Sequence, residues 1–203
     1  LLRPGVGNFY TREFYQQVRD RLNTGGIVSQ FVPLAYLTPE DFRSVVRTFL
    51  DVFPQAVLWF NRSEPLLIGT TGQRLAIAPK RLALLEMPGP IHEDLQFELW
   101  GREAQNQPPV FLASFGTGAR GLARLSMGGA VYSDDRPVLD YRAGRVLPTD
   151  ESEIPILRDL VGNLEPITTV VTEATPSLID RASEMRDAHV AEMLAIASVK
   201  RRF

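Results

Sequence analysis

The segment between residues 39 and 53 most constrains the fold, because its apolar residues recur at helical spacing. Six of them fall at positions i, i+3, i+4, i+7, i+8 and i+11 and so share one helical face: Phe42, Val45, Val46, Phe49, Leu50 and Phe53. Thr38 is a typical N-cap, Pro39 suits the first helical position, and Pro54 ends the pattern. The sequence therefore predicts an amphipathic helix whose apolar face packs against another layer.

Shorter patterns on either side of this helix indicate an α/β order. Residues 12–22 carry an apolar residue at every fourth position, which predicts a helix. The nearly continuous apolar run from Ile27 to Leu34 indicates a strand buried on both faces, as in a parallel sheet. Residues 56–60 and 66–69 are predicted strands whose short connection favours an antiparallel pair. This order is typical of the last third of a doubly wound α/β sheet that ends in an antiparallel edge.

The second half of the chain has weaker patterns and more predicted helix. Residues 79–127 are predicted to be mostly helical and irregular, because prolines and glycines interrupt them. A helix is predicted at residues 154–164, and a last one from about Ser177 to Val199. The C-terminal part is therefore predicted to be a helical extension.

Composition excludes several classes of function. The 203 residues carry 22 basic and 24 acidic side chains, and this net charge of −2 argues against a broad nucleic-acid-binding face. The chain has no cysteine, which excludes disulfides, thiolate metal ligands and cysteine nucleophiles, and which fits the cytoplasm. No apolar run approaches the roughly 20 residues that span a bilayer. Because the chain begins with Leu1 and not with Met, we expect it to be a fragment of a longer protein.

Residues Gly116 to Gly121 form a literal G-x-G-x-x-G pattern, and Asp134 and Asp135 follow its first glycine by 18 and 19 residues. In a dinucleotide-binding fold this pattern follows a strand and opens a helix on which the pyrophosphate rests. No clear second strand with a following helix comes after Asp135. We therefore favour the alternative, a pair of helices broken by glycines.

Two further groups of polar residues each allow a functional and a structural interpretation. Asp134 and Asp135 lie in a compact turn and would bind a cation or an amine, or would simply initiate the turn. His92 and His189 lie in different segments without metal-ligand spacing, which favours ordinary surface or helix-face histidines and predicts no metal site.

Gln30 is an amide inside the apolar run that begins at Ile27, near the carboxyl end of the predicted strand. Ligands of open α/β sheets bind at the carboxyl ends of strands, and a polar side chain there needs a partner. Gln30 is therefore either a structural amide with its own hydrogen bonds or a ligand contact. Trp59 and Trp100 are expected to pack in or near the core.

Several of these segments together resemble spermidine synthases, the polyamine aminopropyltransferases. The resemblance lies in the stretch from Phe9 to Tyr15 with its helix, in Asn23 to Gly26, and in Val28-Ser29-Gln30. It continues through residues 39–54, 58–59 and 66–69. The stretch from Tyr132 to Tyr141 is similar to a signature of a bacterial branch in which this domain is often fused to membrane segments or helical repeats. The resemblance covers about residues 4–145.

The resemblance implies a class I methyltransferase-like (Rossmann-like) α/β fold, of which this chain is the C-terminal part. It divides the chain into residues 1–78, the C-terminal half of the α/β domain, and residues 79–149, a helical insertion and closing segment of the same domain. Residues 150–203 are a helical C-terminal extension. A sheet cut in this way leaves a strand edge and an apolar face uncovered. We therefore expect the chain to self-associate or to bind a partner that covers the edge.

The activity implied by the resemblance is transfer of an aminopropyl group from decarboxylated S-adenosylmethionine to an amine such as putrescine. The donor is a substrate, and no tightly bound cofactor is implied. Gly5, Val6 and Phe9 fall where the family packs the adenine and thioether of the donor, and Gln30 falls on a glutamine of the amine side. The aspartate that deprotonates the amine would lie upstream of Leu1, so no catalytic residue is assigned and this chain alone is expected to be inactive.

One departure from the family pattern keeps other functions open. Many members place a glutamate for the distal amine two positions after the glutamine, where this chain has Val32. The alternatives are a non-catalytic relative that serves interaction or regulation, and an S-adenosylmethionine-dependent methyltransferase of the same fold.

Overall fold

The computed structural model describes residues 6–61, 64–96, 104–136, 138–142 and 150–199. The described chain opens with a 3₁₀ helix, Val6–Tyr10, followed by α1, Arg12–Arg21. Thr11 caps α1 as its residue type predicts, since its Oγ1 accepts a hydrogen bond of 3.4 Å from the Phe14 amide.

The sheet has four strands: β1 (Ile27–Phe31), β2 (Val57–Asn61), β3 (Glu64–Thr70) and β4 (Phe115–Thr117). Their order is β1-β3-β2-β4, and every pair of neighbours is antiparallel. The predicted antiparallel pairing of the second and third strands is confirmed. The prediction of a parallel sheet is wrong for all neighbouring strands, but β1 and β2 do run parallel to each other because each is antiparallel to β3.

Helix α2 (Pro39–Val52) connects β1 to β2 and covers one face of the sheet. Its N-terminus is capped by Thr38, whose Oγ1 accepts a hydrogen bond of 3.1 Å from the Asp41 amide. The apolar side of α2 packs onto Leu58 and Leu67, a cross-strand pair on β2 and β3. The amphipathic helix and its boundaries are therefore confirmed to within a residue of the pattern.

A second hydrophobic cluster covers the opposite face of the sheet. It is built around Val57 and Phe115, with helices α3 (Pro79–Glu86), α4 (Pro90–Leu95), α5 (Pro108–Ala113) and α9 (Pro176–Val199) on that side. α5 packs along α9, and α3 contacts both α4 and α5. The predicted last helix is confirmed and begins one residue earlier. The sheet thus lies between two helical layers, which shows a mixed α/β fold.

Three further helices complete the layer that contains α2. They are α6 (Ala119–Leu125), α7 (Val138–Arg142) and α8 (Asp150–Val161). α6 and α8 pack against α2, and α7 contacts the opening 3₁₀ helix. The helix predicted at residues 154–164 is present and lies four residues nearer the N-terminus at its start. No helix in the described part of the chain combines the length and hydropathy needed to cross a membrane.

β1 is an edge strand, and the prediction that it is buried on both faces is wrong. Ile27 is 60% exposed and Phe31 is 42% exposed. At the two ends of the β1–β3 ladder, the Val32 amide donates to Pro65 O at 3.0 Å and the Thr71 amide donates to Gly26 O at 3.1 Å. The even-numbered residues of β1 therefore direct their backbone groups to β3, and the odd-numbered residues direct theirs away from the sheet.

Candidate functional site

The carboxyl ends of β1 and β2 lie at the same edge of the sheet, because the two strands run parallel. The 3₁₀ helix brings Tyr10 to this edge, where its hydroxyl donates a hydrogen bond of 3.0 Å to Phe31 O. The Gln30 amide nitrogen donates to the same carbonyl at 3.0 Å. Gln30 faces the α2 side of the sheet, since it lies opposite Leu67 in the β1–β3 ladder. Two polar side chains thus converge on the end of β1.

Burial controls the protonation of Tyr10. Its side chain is only 4% exposed. Desolvation raises the pKa of Tyr10 to about 12, and the neighbouring Gln30 side chain lowers it in part. Tyr10 is therefore a neutral hydrogen-bond donor at physiological pH and is no general base. With the Gln30 nitrogen bonded to Phe31 O, the amide oxygen is the atom that can accept a hydrogen bond from a ligand.

The three residues predicted on the donor side have different surroundings. Gly5 lies outside the described residues. Val6 is partly buried and packs against the core beneath α2. The Phe9 ring is 51% exposed and meets Phe14 edge to face at 5.2 Å, so it presents an aromatic surface directly before Tyr10 in the chain. The structure thus brings Tyr10 and Gln30 together at the end of β1, whereas the Phe9 ring contacts Phe14 and Val6 packs against the core.

Asp140 on α7 is a neighbour of this site that the sequence patterns did not identify. Its Oδ1 accepts a hydrogen bond of 2.8 Å from the Gly7 amide. A Cβ at position 7 would lie 2.6 Å from that oxygen, so the close approach requires glycine. Local sequence patterns give little indication of this contact, because Asp140 and Gly7 are separated by 133 residues in the chain.

Val32 has no contact with solvent. Its side chain is 0% exposed and belongs to the core that α2 covers. The position where the resemblance would place a glutamate therefore lies inside the hydrophobic core, two residues beyond Gln30. A carboxylate there would be buried without water, which is unfavourable unless it is paired.

The turn that contains Asp134 is structural. Asp134 Oδ1 accepts a hydrogen bond of 2.6 Å from Thr11 Oγ1, and the Asp134 amide donates to Glu13 Oε2 at 3.0 Å. The turn thereby holds the N-terminus of α1. Of the two interpretations of this aspartate pair, the structural turn fits these contacts, which join the turn to the N-terminus of α1.

The glycine pattern forms a strand, a turn and a helix. Phe115–Thr117 is β4 and Gly118 precedes α6, so the expected pair of helices broken by glycines has a short strand between its helices. The pattern still forms no dinucleotide site, because the chain's own Glu165 occupies the start of α6. Its Oε2 accepts from the Gly118 amide at 2.8 Å, and its Oε1 accepts from Arg120 Nε at 3.1 Å.

The histidines and tryptophans have separate environments. His92 Nδ1 lies 2.6 Å from Leu85 O and links α4 to α3, whereas His189 lies on α9. Within the described ranges, no three histidine, aspartate or glutamate side chains are grouped as metal ligands. Trp59 packs on Phe111 with ring centroids 4.9 Å apart, as predicted for a core residue. Trp100 lies outside the described residues.

Comparison of this chain with protein-family models, with curated proteins and with solved structures found no match.

Proposed function

We propose that this chain is part of a spermidine-synthase-like aminopropyltransferase and supplies the amine side of its site. The observation that carries the proposal is the Gln30 amide beside Tyr10 at the carboxyl end of β1. The connection β1–α2–β2 supports it, because two parallel strands joined by a helix form the unit of a doubly wound sheet, whose ligands bind at this end. β3 is antiparallel, like the strand expected at the edge of such a sheet, but it lies between β1 and β2 and not at the edge.

The chemistry divides between this chain and the part that the resemblance places upstream of Leu1. An ammonium group would donate a hydrogen bond to Gln30 Oε1, and the exposed Phe9 ring would pack against the adenosyl sulfonium of decarboxylated S-adenosylmethionine. The amine must lose a proton before its nitrogen attacks the carbon beside the sulfonium and the carbon–sulfur bond breaks. Tyr10 cannot accept that proton near neutral pH, because its pKa is raised to about 12. We therefore propose that the 203-residue chain alone binds the amine and does not transfer the aminopropyl group.

Putrescine binding to the 203-residue chain tests this proposal. We expect weak binding by titration calorimetry or amide NMR, with perturbed signals at Gln30 and Tyr10. Gln30→Leu should weaken binding by about tenfold, the effect of one lost charge-assisted hydrogen bond of about 1.4 kcal/mol. Gln17→Leu is the control, because Gln17 is exposed on α1 away from the strand end. Equal putrescine affinity of Gln30→Leu and Gln17→Leu, or no putrescine binding by the unmodified chain, would contradict the proposal.

A second candidate is a non-catalytic relative whose fold serves interaction. The buried Val32 favours it, because no carboxylate stands where many members hold the distal amine. Assays of aminopropyl transfer and donor binding on the longest natural polypeptide that contains this chain distinguish the two candidates. Aminopropyl transfer by that polypeptide supports the first, and absence of both transfer and donor binding supports the second. The third alternative, a methyltransferase, predicts that S-adenosylmethionine raises its unfolding temperature more than the decarboxylated donor does.

The free edge of β1 supports our proposal that the chain self-associates or binds a partner strand. Ile27 and Ser29 direct their backbone groups away from β3, and the described residues offer them no hydrogen-bond partner. The proposed compartment is the cytoplasm, on the ground that the chain has no cysteine.

A further inference from the structure

A pocket of about 210 Å³ opens at the end of the sheet opposite to Gln30. Val57, the first residue of β2, lies in its floor with Leu75, which follows β3. Gly118 forms part of its wall at the carboxyl end of β4. β1 and β2 run parallel, so their carboxyl ends lie at the same end of the sheet and the start of β2 lies at the other end. The pocket at the start of β2 is therefore separate from the candidate amine site.

Two arginines stand at the mouth of this pocket. The Arg120 side chain is 80% exposed, but its Nε is held at 3.1 Å by Glu165 Oε1, a carboxylate whose side chain is only 4% exposed. This bond uses one of the five guanidinium donors, so four remain for a ligand. Arg74 is exposed, and the described residues give it no hydrogen bond or ion pair. One carboxylate against two guanidinium groups leaves one net positive charge at the mouth.

A hydrogen bond from the Gly118 amide positions the Glu165 carboxylate in the wall of the pocket. The Gly118 amide donates to Glu165 Oε2 at 2.8 Å. A Cβ at position 118 would lie 3.1 Å from that oxygen and 3.2 Å from Thr169 Cγ2, so a larger residue would crowd both. Both carboxylate oxygens of Glu165 are therefore bonded within the chain, one to the Gly118 amide and one to Arg120 Nε.

We propose that this pocket binds a compact anion with an apolar body. Its carboxylate or phosphate pairs with Arg74 and Arg120, because the planar guanidinium group binds carboxylates and phosphates through paired hydrogen bonds. Its apolar part rests on Val57 and Leu75. Pockets for drug-sized ligands measure about 300 to 1,000 Å³, so this smaller one takes a ligand of about one ring.

Amide and guanidinium NMR of the 203-residue chain at low salt tests the site with four probes. Benzoate and phenyl phosphate carry both an apolar ring and an anion, inorganic phosphate carries the anion alone, and cyclohexylamine carries the opposite charge. We expect benzoate or phenyl phosphate to perturb Gly118, Ala119 and the Arg120 Nε–H, and to bind more tightly than inorganic phosphate. Which of the two binds more tightly distinguishes a carboxylate from a phosphate ligand. Perturbation elsewhere only, or equal binding of cyclohexylamine, would overturn the proposal.

Substitution of Arg74 tests the charge requirement with little effect on the fold, because Arg74 is exposed and the described residues give it no hydrogen bond or ion pair to lose. Arg74→Gln should weaken binding of the tighter anion by at least about tenfold. Arg47→Gln is the matched control, since Arg47 is exposed on α2, on the other face of the sheet. Arg120→Lys keeps a charge beside Glu165 and should give an intermediate loss. Equal affinity of Arg74→Gln and Arg47→Gln would refute the site, whatever putrescine does at Gln30.

Discussion

At the scale of single residues, Tyr10 makes stability depend on alkaline pH. Its folded-state pKa is about 12, above its ordinary value of 10.0, so the folded protein holds the phenol proton more tightly than the unfolded chain does. The contribution of this raised pKa to the free energy of unfolding is fully present well below pH 10. It is lost as the pH rises through 12, and the total loss is about 2 to 3 kcal/mol. Urea unfolding at pH 8, 10 and 11 should show about half of this loss by pH 11, and Tyr10→Phe should reduce it.

Tyr15 is the matched comparison for Tyr10. Its hydroxyl is buried, the described part of the chain offers it no hydrogen-bond partner, and burial raises its pKa well above the ordinary range. Near neutral pH, Tyr15→Phe should therefore leave stability unchanged or increase it, whereas Tyr10→Phe removes the bond to Phe31 O and should cost up to about 1 kcal/mol. An unchanged alkaline slope in Tyr10→Phe would show that Tyr10 does not titrate in this way.

The sequence predicted one polar residue of the candidate site and missed its neighbours. Gln30 stood out because an amide interrupts an apolar run, which is a local signal. Tyr10 and Asp140 could not be identified, because each acts through a backbone group that the fold brings close. The Asp140 contact joins residues 133 positions apart, and no local pattern encodes a contact at that separation.

At the scale of elements, the free edge of β1 predicts weak self-association. The strand Ile27–Phe31 contains no charge and no proline, the usual protections of an edge strand. Antiparallel pairing of two copies would bring Ser29 of each close together and bury Ile27 and Phe31, which are 60% and 42% exposed. Sedimentation velocity over a concentration series should show a rising average mass.

Ser29→Lys should keep the chain monomeric over the same concentrations, because like charges would then meet across the paired strands. Ser29→Thr is its control, since threonine suits a strand and carries no charge. A wild-type chain that stays monomeric at every concentration would count against pairing through β1, and so would association that Ser29→Lys leaves intact.

At the scale of the whole molecule, Arg186 on α9 joins the C-terminal helix to the sheet. Its Nη1 donates to Glu165 O at 2.7 Å and to Phe115 O at 3.4 Å, and burial lowers its pKa. Arg186→Met should lower the free energy of unfolding by about 2 to 3 kcal/mol, because two carbonyls lose their donor. Urea denaturation measures the loss.

Two variants complete the test of this connection. Arg186→Lys restores one donor and should recover part of the stability. Arg181→Met lies five residues earlier on the same helix at an exposed position, and it should change stability by less than about 0.5 kcal/mol. Equal effects of Arg186→Met and Arg181→Met would mean that these carbonyl contacts do not hold α9 in place.

The amino-acid sequence by itself determined the elements whose signals are local. α1, α2, the β2–β3 pair and α9 follow from apolar periodicity, caps and short connections, which act over a few residues. Only the tertiary structure decided that β1 is an exposed edge strand. The apolar run Ile27 to Leu34 has a sequence pattern that fits a strand with one neighbouring strand as well as a strand with two. The tertiary structure also decided that β4 forms inside the glycine pattern and that Glu165 occupies the start of α6, since both depend on residues far apart in the chain.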